Sequence, residues 1–329
     1  MQSSYAVGLL IGIIVSIGSL AWAISLLNWD NFLTHLGTAN WWVFIPFTLI
    51  MLGHYWLRSI RWRYLLPTQY RSVKTLILFD SIMVGNLMTF ILPFRAGEFG
   101  RPLLLSLEAK VPFPTGFSSV VVERFFDLAA VLITFAIIAL ALPSIPDWAL
   151  LGAYSLSILG GVIFCVLLVA AIIPEKLLAL MDHVTAKIPF GKKISPLLKD
   201  LIEGLHPVRS LKGLIIVVGL TAAVWLSNYF LFQIGFLLVG EEASFFIATA
   251  VAVILALAVA APSAPGFIGV FQVACVAGFS IFGLNQDRGG AYAVLIHAHA
   301  YLVFIIIGFS ALARYGVSLA SLRGTKPAS

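Results

Sequence analysis

The run Pro93-Phe94-Arg95-Ala96-Gly97-Glu98-Phe99-Gly100-Arg101 sets one carboxylate three residues from a guanidinium on either side. On a helix that spacing lets Glu98 satisfy Arg95 and Arg101 only in part, so a local positive excess is left over. Arginine grips phosphate in a two-pronged fork. A helix starting after Gly97 would aim free backbone N–H groups at the same anion. The same three side chains would also serve as a buried Arg–Glu–Arg network holding the segment, and the two roles are compatible.

A second constellation is Glu123-Arg124-Phe125-Phe126-Asp127. Glu123 and Asp127 are four apart and share a helical face, with Arg124 beside them. They can pair with Arg95 or Arg101, take up a proton, or snorkel to water. Asp80 and Asn86 add polar groups in the segment leading to Arg95. Late in the chain, Pro262, Pro265, Gly266 and Gly269 interrupt an apolar stretch and free backbone groups that Gln272 can bond. His297 and His299 are two apart, so they face different directions and form no metal pair. Arg58, Arg61, Trp62 and Arg63 read as an interfacial belt from which Arg58 can turn inward. Cys165 and Cys275 each sit in an apolar run and read as small core residues.

Composition sets the solvent for these groups. The chain has 329 residues, of which 61% are hydrophobic and 10% charged, with a mean hydropathy of +1.05. A soluble surface needs about 25% charged residues, so most of this surface must face lipid. The net charge of +6 lies in the gaps between apolar runs, which points to membrane topology and away from nucleic acid. The sequence contains no G-x-x-x-x-G-K-[ST], G-x-S-x-G or H-E-x-x-H motif, so no ATP-driven motor, catalytic residue, cofactor or metal site is expected.

A bilayer crossing takes about 20 apolar residues. Uncharged runs of that order lie near 5–27, 41–57, 128–146, 148–174, 213–239, 244–286 and 289–313, and 75–93 is interrupted only by Asp80. The first run has no basic flank and reads as a retained helix, not a signal peptide. Basic residues cluster at 58–74, 176–212 and the tail, while 28–40, 143–149 and 240–243 have none. Cytoplasmic N- and C-termini place every basic cluster on one side.

Parity then requires 75–117 to start and end in the cytoplasm, and 244–286 to start and end outside. Each is a re-entrant hairpin or a pair of close spans. The arm 102–117 is short and carries Glu108, Lys110, Pro112 and Pro114, which favours the hairpin. Broken segments in matching places of two oppositely oriented halves mark a transport site near the midplane. The expected fold is therefore all-α, a polytopic membrane bundle with two broken hairpins in an inverted repeat. It forms a single membrane domain over 1–329. Its first half is 41–173 and its second half 213–313. A cytoplasmic linker, 174–212, joins them, with apolar residues Ile194, Leu197, Leu198, Leu201, Ile202 and Leu205 along one helical face.

Several of these residues fall into a familiar pattern. Arg61-Trp62-Arg63, Asn86…Pro93-x-Arg95-x-Gly97-Glu98-x-x-Arg101, Glu123-Arg124-x-x-Asp127 and Pro265-Gly266-x-x-Gly269-x-Phe271 occur in that order along nearly the whole chain. They resemble the lysylphosphatidylglycerol synthase transmembrane family, the flippase-like membrane half of the multiple peptide resistance factor. The resemblance implies a bacterial or archaeal membrane protein that moves lipids. Two departures count. The family's late motif ends in Glu where this sequence has Gln272, and the aminoacyl-transferring soluble domain is missing, so synthesis of lysyl lipids is not expected.

The expected function is a lipid flippase or scramblase-like transporter in the inner membrane, acting on an anionic lipid or lipid-phosphate head group. Arg95 and Arg101 would bind phosphate and Glu98 would position them. Glu123, Arg124, Asp127, Asn86, Pro265, Gly266, Gly269 and Gln272 would complete the substrate site. The alternatives are a membrane-embedded enzyme using Glu123 and Asp127 as acid and base, and a small-solute channel.

Overall fold

A computed structural model describes residues 2–92, 97–141, 209–260 and 264–318, with scattered single positions between 154 and 205. Arg95, Cys165, Pro262 and most of the run 148–174 and of the linker 174–212 lie outside the described residues.

All regular structure among the described residues is helical. The helices are α1 (Gln2–Ser25), α2 (Trp29–Gly37), α3 (Phe44–Leu65), α4 (Thr75–Ile91), α5 (Gly97–Ala109) and α6 (Phe113–Ala141). After the linker come α7 (Leu211–Phe236), α8 (Phe245–Ala258), α9 (Val270–Ile281) and α10 (Gln286–Tyr315). Four of the described segments are long and apolar enough to cross a membrane: Trp41–Leu65, Phe113–Ala141, Leu211–Val239 and Gln286–Tyr315. Large apolar side chains stand open along them, with Leu140 86% exposed, as expected of helices solvated by lipid. This is a multi-pass membrane protein.

Local chemistry explains the boundaries. Asn28 opens α2 by accepting a hydrogen bond from the Asn31 N–H at 3.2 Å, and Ser244 opens α8 by accepting from Ile247 at 3.3 Å. α5 ends where Lys110 takes a left-handed φ of 54°, and Pro112 prevents its continuation into α6. α4, α8 and α9 are shorter, at 17, 14 and 12 residues.

Two helices depart from the charge-based reading of the sequence. α3 continues through Arg58, Arg61 and Arg63 to Leu65, past the end of the apolar run at 57. α6 begins at Phe113 and carries Glu123, Arg124 and Asp127 within it. Arg and Glu are good helix formers, so charge ends an apolar run without ending a helix.

The chain divides into two compact units. The first comprises Met1–His54, Met83–Gly97 and Leu226–Ala311; the second comprises Tyr55–Ile82, Glu98–Trp225 and Leu312–Ser329. The boundary passes through α3, α4, α7 and α10, each of which contributes a segment to both. In the first unit α9 packs on α8 and α1. Gly278 brings α9 close to Val251 of α8, where an added Cβ would lie 3.1 Å from a methyl group. The second unit is organised around a buried apolar cluster including Trp62, Leu65, Leu78, Leu105, Val122 and Val217. Pro102 lies against Gly116 there, drawing α5 and α6 together.

Candidate functional site

Three helices of the second unit each present charged residues at helical spacing. α3 offers Arg58 and Arg61, α5 offers Glu98 and Arg101, and α6 offers Glu123, Arg124 and Asp127. All seven meet in one cluster, and Glu123 is its hub. Glu123 is fully buried and contacts four guanidinium groups. Its Oε1 accepts from Arg58 Nη2 at 2.8 Å and Arg124 Nη2 at 2.7 Å, with Arg61 Nη2 at 3.2 Å. Arg101 grips both oxygens, at 2.8 and 3.3 Å.

Asp127 takes the next share. It accepts from Arg61 Nη1 at 2.7 Å and from the indole N–H of Trp225 at 3.1 Å, with Arg124 at 3.3 Å. α7 contributes both Trp225 and Thr221, whose hydroxyl lies 3.4 Å from Arg61. Beneath the ions, the Arg101 guanidinium sits 4.5 Å from the Trp62 ring centroid, and Trp62 donates to Ser119 at 2.8 Å. This stacking fixes the guanidinium plane. A charge moved from water into a protein interior costs several kcal/mol unless it is paired and hydrogen-bonded, so these groups are stable only together.

The cluster has more donors than acceptors. Four guanidinium groups face three carboxylates, a net charge of one positive. Each Arg carries five N–H bonds and each carboxylate about four acceptor positions. The buried Nε atoms of Arg61, Arg101 and Arg124 have no hydrogen-bond partner among the described residues. The cluster opens on one side, where the side chains of Arg124 and Glu98 are 39% and 29% exposed. Glu98 is the loosest member, 4.0 Å from Arg101 and 3.9 Å from Arg124. An anion arriving there would meet the partly exposed Arg124 guanidinium and a weakly held carboxylate, Glu98, while Glu123 and Asp127 keep their closer contacts.

The first unit holds the other predicted residues. Gly266 and Gly269 take positive φ values of 69° and 87°, open to glycine but strained for other residues. Gly266 is packed against the Tyr301 hydroxyl and the Phe90 carbonyl, and Gly269 against the Ser16 carbonyl. The Ala264 N–H donates to the Ser16 hydroxyl at 2.8 Å. Gln272 caps the break, its Oε1 accepting from the Gly269 N–H at 2.8 Å, while its amide nitrogen lies 3.2 Å from His297 Nδ1. His297 stacks on Phe271 at 4.1 Å. His299 instead meets Thr48 at 2.9 Å and stacks on Phe44 at 4.6 Å, so the two histidines have separate partners. Pro265 starts the short turn leading to Gly266. Asn86 is half-buried, and its amide nitrogen has no hydrogen-bond partner among the described residues.

The structure therefore brings Glu98, Arg101, Glu123, Arg124 and Asp127 into one cluster of the second unit. Pro265, Gly266, Gly269 and Gln272 gather at the break in the first unit, which also contains Asn86. The interfacial-belt reading is corrected for Arg61 and Trp62, which are fully buried, while Arg58 does turn inward, to Glu123. Arg63 bonds Thr75 at 2.9 Å. Asp80 is buried against Arg314 and Tyr315, a separate ion pair. Sequence reasoning missed Arg58, Arg61, Thr221 and Trp225 as cluster members. The usable signal was the three-residue spacing of Arg58 and Arg61, complementary to the four-residue spacing of Glu123 and Asp127.

A sequence model described as the lysylphosphatidylglycerol synthase TM region matches residues 9–308, which takes in both polar regions. The chain belongs to the lysylphosphatidylglycerol synthase transmembrane family. This family member is also similar to the glycosyltransferase AglD of Haloferax volcanii, at 27% identity over 120 residues. That stretch is 36% of this chain and 19% of the relative, so the match spans about a fifth of the relative's length. No solved structure matches.

Proposed function

We propose that this protein moves a phosphate-bearing lipid, a phospholipid or a polyprenyl phosphate, across the inner membrane. The observation that carries the reading is the donor-rich cluster opening between Arg124 and Glu98. A lipid phosphate entering there displaces Glu98 and takes up guanidinium N–H bonds that the carboxylates leave over. Arg124 is the first contact and Arg101 the anchor, and Arg95 adds a further cation from the neighbouring run. The substrate is anionic, and no cofactor is required.

The topology in this reading has cytoplasmic termini and two inverted halves, with re-entrant hairpins at 75–117 and 244–286. Helix length supports it. At 1.5 Å per residue, α4, α8 and α9 reach roughly 26, 21 and 18 Å, against about 30 Å of hydrocarbon. The similarity to a relative named as a glycosyltransferase favours a second reading, chemistry on a lipid head group with Glu123 and Asp127 as acid and base. Against it, both carboxylates are already committed to arginines.

Proteoliposomes carrying fluorescent phosphatidylglycerol or a labelled polyprenyl phosphate test the proposal. Wild-type protein moves one of these between leaflets, and Arg95→Ala and Glu98→Ala each slow it at least tenfold while eluting normally on gel filtration. Unchanged lipid movement in both variants would sink the site assignment. Turnover of a head group without lipid movement would favour the enzyme, and a conductance in planar bilayers would favour a channel.

A further inference from the structure

We propose that one face of α2, together with Trp41 and Trp42, is a membrane-surface anchor whose partner is the boundary between acyl chains and head groups of one leaflet. Four large apolar side chains stand open there: Trp29 is 49% exposed, Leu33 55%, Trp41 59% and Trp42 80%. At about 100° per residue, Phe32, Leu36, Trp29 and Leu33 fall within a sector of about 100° on α2. Asp30, Asn31 and Thr34 lie outside that sector and are exposed. Only one edge of the apolar sector meets protein. Phe32 is buried against Gly290 near the start of α10, where an added Cβ would lie 3.3 Å from its ring. Asp287 holds that edge in place, accepting from the Asn28 N–H at 2.7 Å and from the Asn31 amide at 3.3 Å. The other edge, Trp29 and Leu33, stays open.

The ends of the spans identify what covers that edge. In the first unit, three of them meet at this level. The Asn40 N–H, just ahead of the span Trp41–Leu65, donates at 2.9 Å to the carbonyl of Leu238, next to the end of the span Leu211–Val239. Arg288, in the first turn of the span Gln286–Tyr315, donates to the Gly240 carbonyl at 3.0 Å and to Glu241 at 2.8 Å. Hydrocarbon ends where the apolar helices end, and a charged pair there is solvated by water or head groups. The open tryptophans therefore stand at the rim of the spans. Indole rings favour that layer, with the apolar body toward the chains and the N–H toward the head groups. At nine residues, α2 is only about 14 Å long, too short to cross, and its half-covered apolar stripe suits a helix lying along the surface. Residues 28–40 hold one carboxylate, Asp30, and no Lys or Arg. Attraction to anionic lipid adds nothing here, so the anchor works in zwitterionic lipid.

Tryptophan fluorescence of the full-length protein in phosphatidylcholine nanodiscs tests this, with lipids brominated either near the head group or near the chain end. The signal lost in the Trp29→Phe/Trp41→Phe/Trp42→Phe variant is the contribution of the three indoles. Shallow bromines are expected to quench that contribution roughly twofold more than deep ones. Leu33→Trp removes none of the polar contacts that hold α2 and is expected to add a signal with the same shallow preference, so the test survives a triple variant that fails to fold. Mixing in phosphatidylglycerol should leave the pattern unchanged. Stronger quenching by the deep bromines would place the face in the hydrocarbon core, and quenching by aqueous iodide alone would place it in water; either overturns the anchor. Quenching by neither lipid nor iodide would mean that protein, such as a second copy of the chain, covers the face, and overturns it too. A shallow pattern that requires phosphatidylglycerol would overturn the uncharged partner.

Discussion

The cluster around Glu123 and the break around Gly266 both interrupt apolar helices with polar groups, but they are stabilised by different physics. The first relies on charge. Seven ionised side chains lie within pairing distance, and three of them, Arg61, Arg101 and Glu123, are nearly or fully buried. The second carries no formal charge at its break. Glycines accept left-handed backbone, one glutamine caps a helix start, and aromatic rings pack against a histidine. Charged networks fail when one member is neutralised, because the partners remain buried. Close-packed backbone fails when a single methyl group is added.

The largest effect is expected from Glu123→Gln. It leaves four guanidinium groups around a neutral amide, and breaking a buried ion pair costs about 3–5 kcal/mol. A sharp fall in the thermal midpoint in detergent, or loss of the monodisperse peak, is the predicted readout. A midpoint equal to wild type would mean that charge does not hold this region together.

Gly266→Ala tests the other region. It forces a side chain into the left-handed region and against Tyr301, with an expected cost of about 1–3 kcal/mol. Adding Tyr301→Phe should return part of that loss, the part due to the hydroxyl. If Gly266→Ala is neutral in a thermal melt, the contrast between the two regions collapses.

His297→Phe keeps a ring against Phe271 and removes the polar contacts with Gln272 and the Gly266 backbone, so about 1 kcal/mol is expected. Glu98→Ala should cost least, within about 1 kcal/mol, because its ion pairs are long and partly exposed. That variant sharpens the comparison furthest. Near-native melting combined with slowed lipid movement would separate a working carboxylate from the structural ones beside it.

Much of the candidate site was legible from local spacing. Glu123 and Asp127 share a helical face whatever surrounds them, and Gln272 falls three residues after Gly269, where it can reach the free N–H of a helix start. The roles of Arg58 and Arg61 were not legible. Arginine beside tryptophan at the end of an apolar run reads equally well as an interfacial anchor or a buried partner. Only a carboxylate 65 or more residues away decides between them.

The sequence by itself determined that lipid is the solvent, because 10% charged residues cannot cover a soluble surface. It also determined where apolar helices break, because proline and glycine act within their own turn of backbone. Which ions pair was decided by tertiary structure alone. Spacing offered Arg101 both Glu98 and Glu123 as partners, and Arg101 commits to Glu123 at 2.8 Å and leaves Glu98 at 4.0 Å. Helical spacing permits the local pair, but burial selects the distant one. A fully buried carboxylate gains more from a two-pronged guanidinium contact than a partly exposed one, whose competing partner is water.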